Sequence, residues 1–137
     1  TYDAWMAHTI RDRLAGKYDV LTWAPVSRAR KRKRGYDQSA LLCREIGIHL
    51  RLESMQTLRK IKDSPAQSTL TDAAQRRANV SGAYRAERPE CFAGKRVLII
   101  DDIVTTGATL AECSRTLLLA GASDVVYAAF AAPRKQD

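Results

Sequence analysis

The chain has 137 residues, a length that supports one domain whose core is stable without disulfides. Apolar residues make up 45% and charged residues 28%, as in ordinary globular proteins, and no stretch predicts a membrane span or a secretory signal. Three widely separated cysteines, Cys43, Cys91 and Cys113, form neither a disulfide framework nor a paired zinc motif, so we expect a cytoplasmic protein. The net charge of +8 predicts attraction to polyanions, either nucleic acid or a small ligand with several phosphates.

The first part of the chain predicts a helix, a strand and a basic loop. Apolar residues recur at helical spacing over Tyr2–Leu14, and the Trp5/Met6 face of this amphipathic helix is a candidate surface for a homodimer. The apolar stretch Asp19–Pro25 predicts the first strand of a sheet. Residues 28–34, RARKRKR, then hold six basic side chains. Such a run is usually a solvated loop, but it also suits the phosphates of a small ligand or a nucleic-acid backbone.

The middle of the chain alternates helical and extended patterns. Asp37 or Ser39 is a suitable N-cap for a second helix that extends to Leu50. The other elements predicted outside the central motif are a strand over Ser54–Ile61, a loop rich in Ser, Thr and Pro over Lys62–Leu70, a helix over Thr71–Ala78, a short strand over Gly82–Arg85, a connection over Arg88–Gly94 and a buried strand over Asp124–Ala132.

The central motif, residues 97–110, reads VLIIDDIVTTGATL. Its unbroken apolar run, Val97–Ile100, predicts a central parallel strand that helices cover on both faces. The carboxylates of Asp101 and Asp102 follow, then a Thr/Gly turn and a helix predicted over Ala108–Ala120. We therefore expect an α/β fold with a mostly parallel central sheet and helices on both faces. Such sheets bind ligands at the carboxyl ends of their strands, where this motif places its polar residues.

The atoms of the Thr/Gly turn suit a sugar phosphate. Backbone N–H groups at a helix N-terminus bind anions, Gly107 lets a phosphate approach the backbone closely, and threonine hydroxyls add donors. Asp101 and Asp102 beside such a pocket suit vicinal hydroxyls, a bound cation, or both. A phosphate at one end and a diol at the other describe a ribose 5-phosphate. The alternative is that the two carboxylates only cap a turn that Gly107 permits.

The motif closely resembles the phosphoribosyl pyrophosphate (PRPP) signature of the type I phosphoribosyltransferases, and the rest of the chain resembles their ComF/GntX group. The supporting stretches are RGYDQSALL at Arg34–Leu42, Gln67 with Leu70, and RRANVSGAY at Arg76–Tyr84. The resemblance implies one phosphoribosyltransferase-like domain over residues 1–137, without the N-terminal zinc ribbon that members often carry. It also implies a hood, a loop and helix over residues 62–78, that folds over the carboxyl edge of the sheet.

By this resemblance the chain binds PRPP with Mg²⁺ and transfers its phosphoribosyl group to or from a nucleobase-like acceptor, which is glycosyltransferase chemistry. Asp101 and Asp102 are then the catalytic carboxylates, holding the ribose hydroxyls directly or through Mg²⁺. The residues expected at the 5-phosphate are Thr105, Thr106, Gly107, Ala108 and Thr109. Those expected at the diphosphate and in the hood are Ser27, Arg28, Lys60, Gln67 and Arg76. Closure of the hood would exclude water from a reactive sugar cation.

A second hypothesis makes the chain a competence or DNA-uptake accessory protein that binds PRPP without catalysis. The ComF group is associated with DNA uptake, and the basic side chains of Arg30, Lys31, Arg32, Lys33 and Arg34 suit single-stranded DNA. Aromatic residues are only 7% of the chain and none interrupts that run, which weakens the case for base stacking. The enzyme hypothesis has its own gap, because no general base for the acceptor is evident and no histidine pairs with a nucleophile.

Overall fold

The computed structural model describes residues 2–25, 38–61, 82–101 and 108–129. Within these ranges the helices are α1 (Tyr2–Leu14), α2 (Gln38–Leu50) and α3 (Ala108–Leu119), and the strands are β1 (Val20–Trp23), β2 (Leu58–Lys60), β3 (Tyr84–Ala86), β4 (Arg96–Asp101) and β5 (Asp124–Ala129). A short 3₁₀ turn covers Pro89–Cys91. The helices in these ranges all fall short of the length and apolar content that a membrane-spanning helix needs.

Strands β1, β4 and β5 form a three-stranded sheet with β4 in the middle. Both neighbours run parallel to β4, so the carboxyl ends of the strands lie at one edge. Val97 and Ile99 pack in one apolar cluster with α3, whereas Leu98 and Ile100 pack in another with α1 and α2. All four side chains are fully buried. Helices therefore cover both faces of β4, which explains why its sequence is apolar without alternation.

A second sheet, the antiparallel pair β2–β3, lies on the α3 side of the main sheet. Lys60 is opposite Tyr84 in its register. Leu58 and Tyr84 are buried in the same apolar cluster as the inward face of α3. The segment leading into β2 is bound to β1, because Thr57 Oγ1 donates a hydrogen bond to Thr22 Oγ1 at 2.7 Å. The small sheet is thus fixed to the body of the domain by both apolar and polar contacts.

Helices α2 and α3 both end in a C-terminal turn in which one residue has a positive φ. After α2, the Leu52 N–H donates to the Gly47 carbonyl at 2.9 Å, and Arg51 between them has a φ of 57°. After α3 the corresponding positive φ, 117°, belongs to Gly121. L side chains rarely adopt this region, so Arg51 occupies a position that favours glycine.

The structure confirms the predicted fold class, the helix over Tyr2–Leu14 and the central strand. It corrects several boundaries. The strand predicted over Ser54–Ile61 pairs continuously only in β2, and Ser54 forms an isolated bridge to Leu21 of β1. Ser39 is not an N-cap, since α2 begins at Gln38 and places Ser39 within its first turn. The helix predicted over Thr71–Ala78, and the hood with it, lies outside the described residues.

The Trp5/Met6 dimer surface predicted on α1 is wrong. Met6 is fully buried against the sheet, whereas Trp5 is 56% exposed. Successive residues of an α-helix are rotated by about 100°, so two neighbours rarely share the same surface. The homodimer itself stays a prediction, without this pair of side chains as its basis.

Candidate functional site

The carboxyl edge of the parallel sheet brings together polar side chains from several elements. Strand β4 ends there at Asp101, which is only 9% exposed. Ser39, in the first turn of α2, donates a hydrogen bond from Oγ to Asp101 Oδ1 at 3.4 Å and is buried as well. A nearly buried carboxylate therefore stands at the end of the central strand, where open parallel sheets bind their ligands.

Tyr84 of β3 is the centre of a second group of side chains at this edge. It is buried, and its side chain hydrogen-bonds those of Thr109 and Cys113 on α3. Burial is the main cause that raises the pKa of Tyr84, and the negative charge of Asp101 raises this pKa further. Burial also raises the pKa of the Cys113 thiol, again with a contribution from Asp101. Tyr84 and Cys113 are therefore neutral at physiological pH and lie within electrostatic reach of Asp101.

Lys60 brings a positive charge to the same place from β2. Its Nζ lies 5.9 Å from the centroid of the Tyr84 ring, a distance at which the ring face attracts a cation. The charge of Lys60 lowers the pKa of the Cys113 thiol, against the effect of burial. The site thus combines a carboxylate, a cation and neutral hydroxyl donors at one edge of the sheet.

Helix α3 also anchors the segment that begins at Gly82 and leads into β3. The backbone N–H of Gly82 donates to Glu112 Oε1 on α3 at 3.0 Å. Arg115 donates to both carboxylate oxygens of Glu112, at 3.0 and 2.5 Å, and this side-chain hydrogen bond is the main cause that lowers the pKa of Glu112. Helix α3 therefore carries both Thr109 and an anchor for the segment that leads from Gly82 into β3.

The structure brings three of the predicted site residues together: Asp101, Thr109 and Lys60. Ala108 is the first residue of α3, next to Thr109. The remaining predicted site residues lie outside the described ranges: Asp102, Thr105, Thr106, Gly107, Ser27, Arg28, Gln67, Arg76 and the basic run Arg30, Lys31, Arg32, Lys33 and Arg34. The role of each of these residues stays a prediction.

Sequence reasoning did not predict Tyr84, Cys113 or the contact of Ser39 with Asp101. A signal for Cys113 exists, because it follows Thr109 by four positions and such residues share one face of a helix. No local signal places the Tyr84 hydroxyl at the site, because its partners are distant in sequence and are brought to it by the packing of β3 on α3.

The family model of the phosphoribosyl transferase domain matches residues 37–137. The chain belongs to this family. It is 35% identical over 109 residues to the DNA utilization protein YhgH of Escherichia coli O6:H1, a match that covers 78% of the chain and 46% of that protein. It is 31% identical over 103 residues to Competence protein F of Haemophilus influenzae, covering 74% of the chain and 44% of that protein. These relatives confirm the ComF-like group of type I phosphoribosyltransferases, and the chain spans less than half of their length.

A solved structure shows the same fold. The glutamine phosphoribosylpyrophosphate (PRPP) amidotransferase from B. subtilis, complexed with ADP and GMP, superposes with a TM-score of 0.59 at 20% identity. The match covers 93% of the chain and 25% of the amidotransferase. At this identity the likeness shows the fold alone, and it confirms the predicted α/β architecture of a type I phosphoribosyltransferase.

Proposed function

We propose that this chain binds PRPP with Mg²⁺ and transfers its phosphoribosyl group to or from a nucleobase-like acceptor. The observation that carries the proposal is the position of Asp101. This carboxylate lies at the carboxyl end of the central strand and is only 9% exposed. Its charge raises the pKa of Tyr84, whose ring contacts the ammonium of Lys60. Membership of the phosphoribosyl transferase family supports the proposal, as does the run from Asp101 to Thr109, DDIVTTGAT, which supplies acids, glycine and hydroxyls in the required order.

The groups at the edge complement the parts of PRPP. Backbone N–H groups in the first turn of α3, together with the Thr109 hydroxyl, suit the 5-phosphate. Asp101 suits the ribose hydroxyls, and the ammonium of Lys60 suits the diphosphate. As the diphosphate leaves, the sugar gains positive charge, and a fixed carboxylate stabilises that charge more strongly where water is excluded.

The residues present fit a Mg²⁺ ion that protein and ligand hold jointly. Asp101 offers the hard carboxylate oxygens that Mg²⁺ prefers, and Asp102 follows it directly in sequence. Within residues 2–25, 38–61, 82–101 and 108–129, no group of three or more His, Cys, Asp or Glu side chains could enclose a metal ion. Oxygens of the diphosphate would complete the coordination, as is common for Mg²⁺. Bound there, the ion would neutralise charge on the leaving group.

Calorimetric titration of PRPP with Mg²⁺ tests the proposed binding. We expect micromolar affinity for the wild-type chain and a loss of at least about tenfold for Asp101→Asn, which keeps the shape of the side chain and removes its charge. The matched control is Asp124→Asn, the same substitution at an exposed aspartate on the neighbouring strand β5, at the amino-terminal edge of the sheet. It should bind PRPP as the wild type does.

Transfer is tested separately from binding. Diphosphate release from PRPP is measured with each nucleobase in turn, and release that depends on one base identifies the acceptor. Binding without release in any mixture contradicts the transfer reaction and leaves PRPP binding as the function. A wild-type chain that binds no PRPP with Mg²⁺ contradicts the whole proposal.

Single-stranded DNA binding is the second candidate function. The names of two relatives, DNA utilization protein and Competence protein F, favour it, as does the net charge of +8. The small sheet adds a structural observation: Arg59 and Arg85 are opposite each other in register, and both are exposed. Glu87 pairs with Arg59, with Nε and Oε1 3.2 Å apart. Like charges opposite each other repel, Glu87 offsets only part of this repulsion, and a phosphate beside Arg85 would relieve the rest.

The salt dependence of oligonucleotide affinity tests this second function. Each contact with a single-strand phosphate contributes about 0.7 to the slope of log K against log salt. Replacing Arg30, Lys31, Arg32, Lys33 and Arg34 by glutamine should therefore lower the slope by up to about 3.5. Replacing Arg59 and Arg85 should lower it by about 1.4. A slope that neither variant changes contradicts DNA binding through these surfaces.

A further inference from the structure

The small sheet β2–β3 carries a lysine on its inward face. Leu58 and Tyr84 are on this face, where both are buried in the apolar cluster that includes α3. Side chains alternate between the faces of a strand, and residues opposite each other share a face. Lys60, two residues after Leu58 and opposite Tyr84, therefore lies on the inward face as well. Arg59 and Arg85, the other opposed pair, are on the outward face and exposed.

The inward position of Lys60 gives its ammonium a defined neighbour. Burial of an ammonium is costly, so a lysine in such a position keeps its stem on apolar surface and its charge near water. Lys60 is half-buried, and its Nζ lies 5.9 Å from the centroid of the Tyr84 ring. At this distance the negative face of the ring attracts the cation. The ring therefore offers the ammonium a fixed place beside the core.

An aromatic ring holds a cation differently from a carboxylate. The attraction to the ring takes up no N–H donor and does not neutralise the charge. The neighbouring Arg59 shows the contrast, because its charge is offset by an ion pair with Glu87. Tyr84 is itself held in place, being 6% exposed and packed in the apolar cluster with α3. The contact with Tyr84 thus holds the Lys60 ammonium and preserves its charge for an anion.

Electrostatic effects on α3 relate this ammonium to the carboxyl edge of the main sheet. Asp101, which ends β4 at that edge, raises the pKa of the Cys113 thiol, and Lys60 lowers it. Asp101 also raises the pKa of Tyr84. The carboxylate and the ammonium therefore act on the same group of side chains, so an anion bound beside Asp101 would be within reach of Lys60.

A lysine is a compact charge on a flexible stem, and ordering that stem costs free energy when an anion binds. We propose that the ring of Tyr84 is a positioning group that holds the Lys60 ammonium at the carboxyl edge for the diphosphate of the ligand. The inference rests on the proposed function, because it takes the ligand to carry a diphosphate beside Lys60. Tyr84 does not touch the ligand in this arrangement. It acts through Lys60, and it lowers the ordering cost of binding by fixing the ammonium beforehand.

The ratio of the affinity for PRPP to the affinity for ribose 5-phosphate tests the inference. Both ligands carry the sugar and the 5-phosphate, and only PRPP carries the diphosphate, so an effect on the shared part cancels in the ratio. Each ligand is titrated with Mg²⁺ by calorimetry into the wild type, Lys60→Met, Tyr84→Leu, Tyr84→Phe and the double variant Lys60→Met/Tyr84→Leu. Thermal unfolding of each protein shows that it is folded.

Two control variants change the same residue types elsewhere. Lys95→Met alters an exposed lysine just before β4, and Tyr127→Leu alters a tyrosine that is 56% exposed on β5. Neither residue belongs to the proposed site. Both variants should therefore keep the wild-type ratio.

We expect Lys60→Met to lower the ratio at least about tenfold, the effect of losing a hydrogen bond from a charged group. Tyr84→Leu should lower it about threefold to tenfold, because the lysine stem must then be ordered on binding. Tyr84→Phe keeps the ring face and should restore the ratio to within about twofold of the wild type. In the Lys60→Met background, Tyr84→Leu should change the ratio less than about twofold.

A second measurement keeps the shape of the ring and applies even if Tyr84→Leu does not fold. With 3,4,5-trifluorophenylalanine in place of phenylalanine at position 84, the face of the ring is less negative and attracts a cation more weakly. The ratio should fall about twofold to fivefold below that of Tyr84→Phe.

The results that overturn the inference differ from those that contradict the proposed function. A ratio that fluorination leaves unchanged overturns the inference, as does an equal fall for Tyr84→Leu in both Lys60 backgrounds, which shows a purely structural role. A wild type that binds PRPP no more tightly than ribose 5-phosphate also overturns it and leaves PRPP binding in place. If the wild type binds no PRPP, the proposed function fails first and the inference fails with it.

Discussion

For the substitution Gly47→Ala, helix propensity predicts a gain in stability and the tertiary structure predicts a loss. Gly47 lies inside α2, where alanine is favoured over glycine by about 1 kcal/mol. A Cβ at this position would lie 2.7 Å from the backbone oxygen of Leu52 and 3.5 Å from Leu21 Cδ1. Real Cβ atoms essentially never approach a backbone oxygen within 3.0 Å. Gly47→Ala therefore requires the backbone to move.

The backbone at Leu52 cannot move freely. Its N–H donates to the Gly47 carbonyl at 2.9 Å, and this bond closes the end of α2. The clashing atom is a backbone oxygen, so we expect a cost of about 2–3 kcal/mol, in the upper part of the range for overpacking, against a gain in helix propensity of about 1 kcal/mol. We expect the free energy of unfolding to fall by about 1–2 kcal/mol, with a decrease in Tm of roughly 3–10 °C.

Urea unfolding, monitored by circular dichroism, measures this change as a shift of the midpoint. The slope of unfolding free energy against urea concentration should stay the same. The matched control is Glu45→Ala, an exposed position on the same helix that changes propensity without a close contact, and its effect should stay within about 0.5 kcal/mol. A Gly47→Ala variant that is as stable as the wild type, or more stable, refutes the steric reasoning.

Three other predictions concern the described residues. Arg51→Gly should stabilise the chain by about 0.5–1 kcal/mol in urea unfolding, because it relieves the positive φ at the end of α2. Hydrogen bonds from Arg96 lower the pKa of Asp19 to about 2 from an ordinary value of 3.8, so their contribution to stability should be complete above pH 4 and should be lost as the pH falls toward 2. Mass spectrometry after brief labelling with a thiol reagent at pH 8 should find the partly exposed Cys91 modified before Cys43, whose pKa burial raises to about 12.

Each of these predictions has a control. Gly121→Ala, at the equivalent positive φ after α3, should destabilise the chain, opposite in sign to Arg51→Gly. Asp19→Asn should flatten the loss of stability between pH 4 and pH 2, and Asp12→Asn, at an exposed position on α1, should leave it in place. Cys113 is fully buried and should become reactive only on unfolding, as Cys43 does. Labelling of the three thiols at equal rates contradicts the burial argument.

Several features of the fold can be predicted from the sequence because their cause is local. The run Val97–Ile100 predicts a central strand, since a strand that helices cover on both faces must be apolar at every position. The spacing of apolar residues over Tyr2–Leu14 predicts α1 to the residue. The order of acids, Thr/Gly turn and helix after β4 also predicts the edge at which Asp101 and Thr109 lie, because a strand and the helix that follows it meet at a single turn.

Other features depend on partners that are distant in sequence. Periodicity identifies the apolar residues of α1 but does not decide which of two neighbours faces inward, and the sheet buries Met6 while Trp5 stays exposed. The segment Ser54–Ile61 has an extended pattern throughout, yet it pairs continuously only where β3 lies beside it. In both cases the position of another element selects among conformations that the local sequence allows equally.

The sequence by itself therefore determined the fold class, the family and the edge of the sheet that holds the polar motif, because these follow from hydrophobic periodicity and a contiguous run of residues. Only the tertiary structure placed Tyr84 between Thr109 and Cys113, set Lys60 above its ring and turned Ser39 toward Asp101. The physical reason is that hydrogen bonds and cation–π contacts act over a few ångströms. Which side chains come within that range is decided by how β2, β3 and α2 pack around the end of β4.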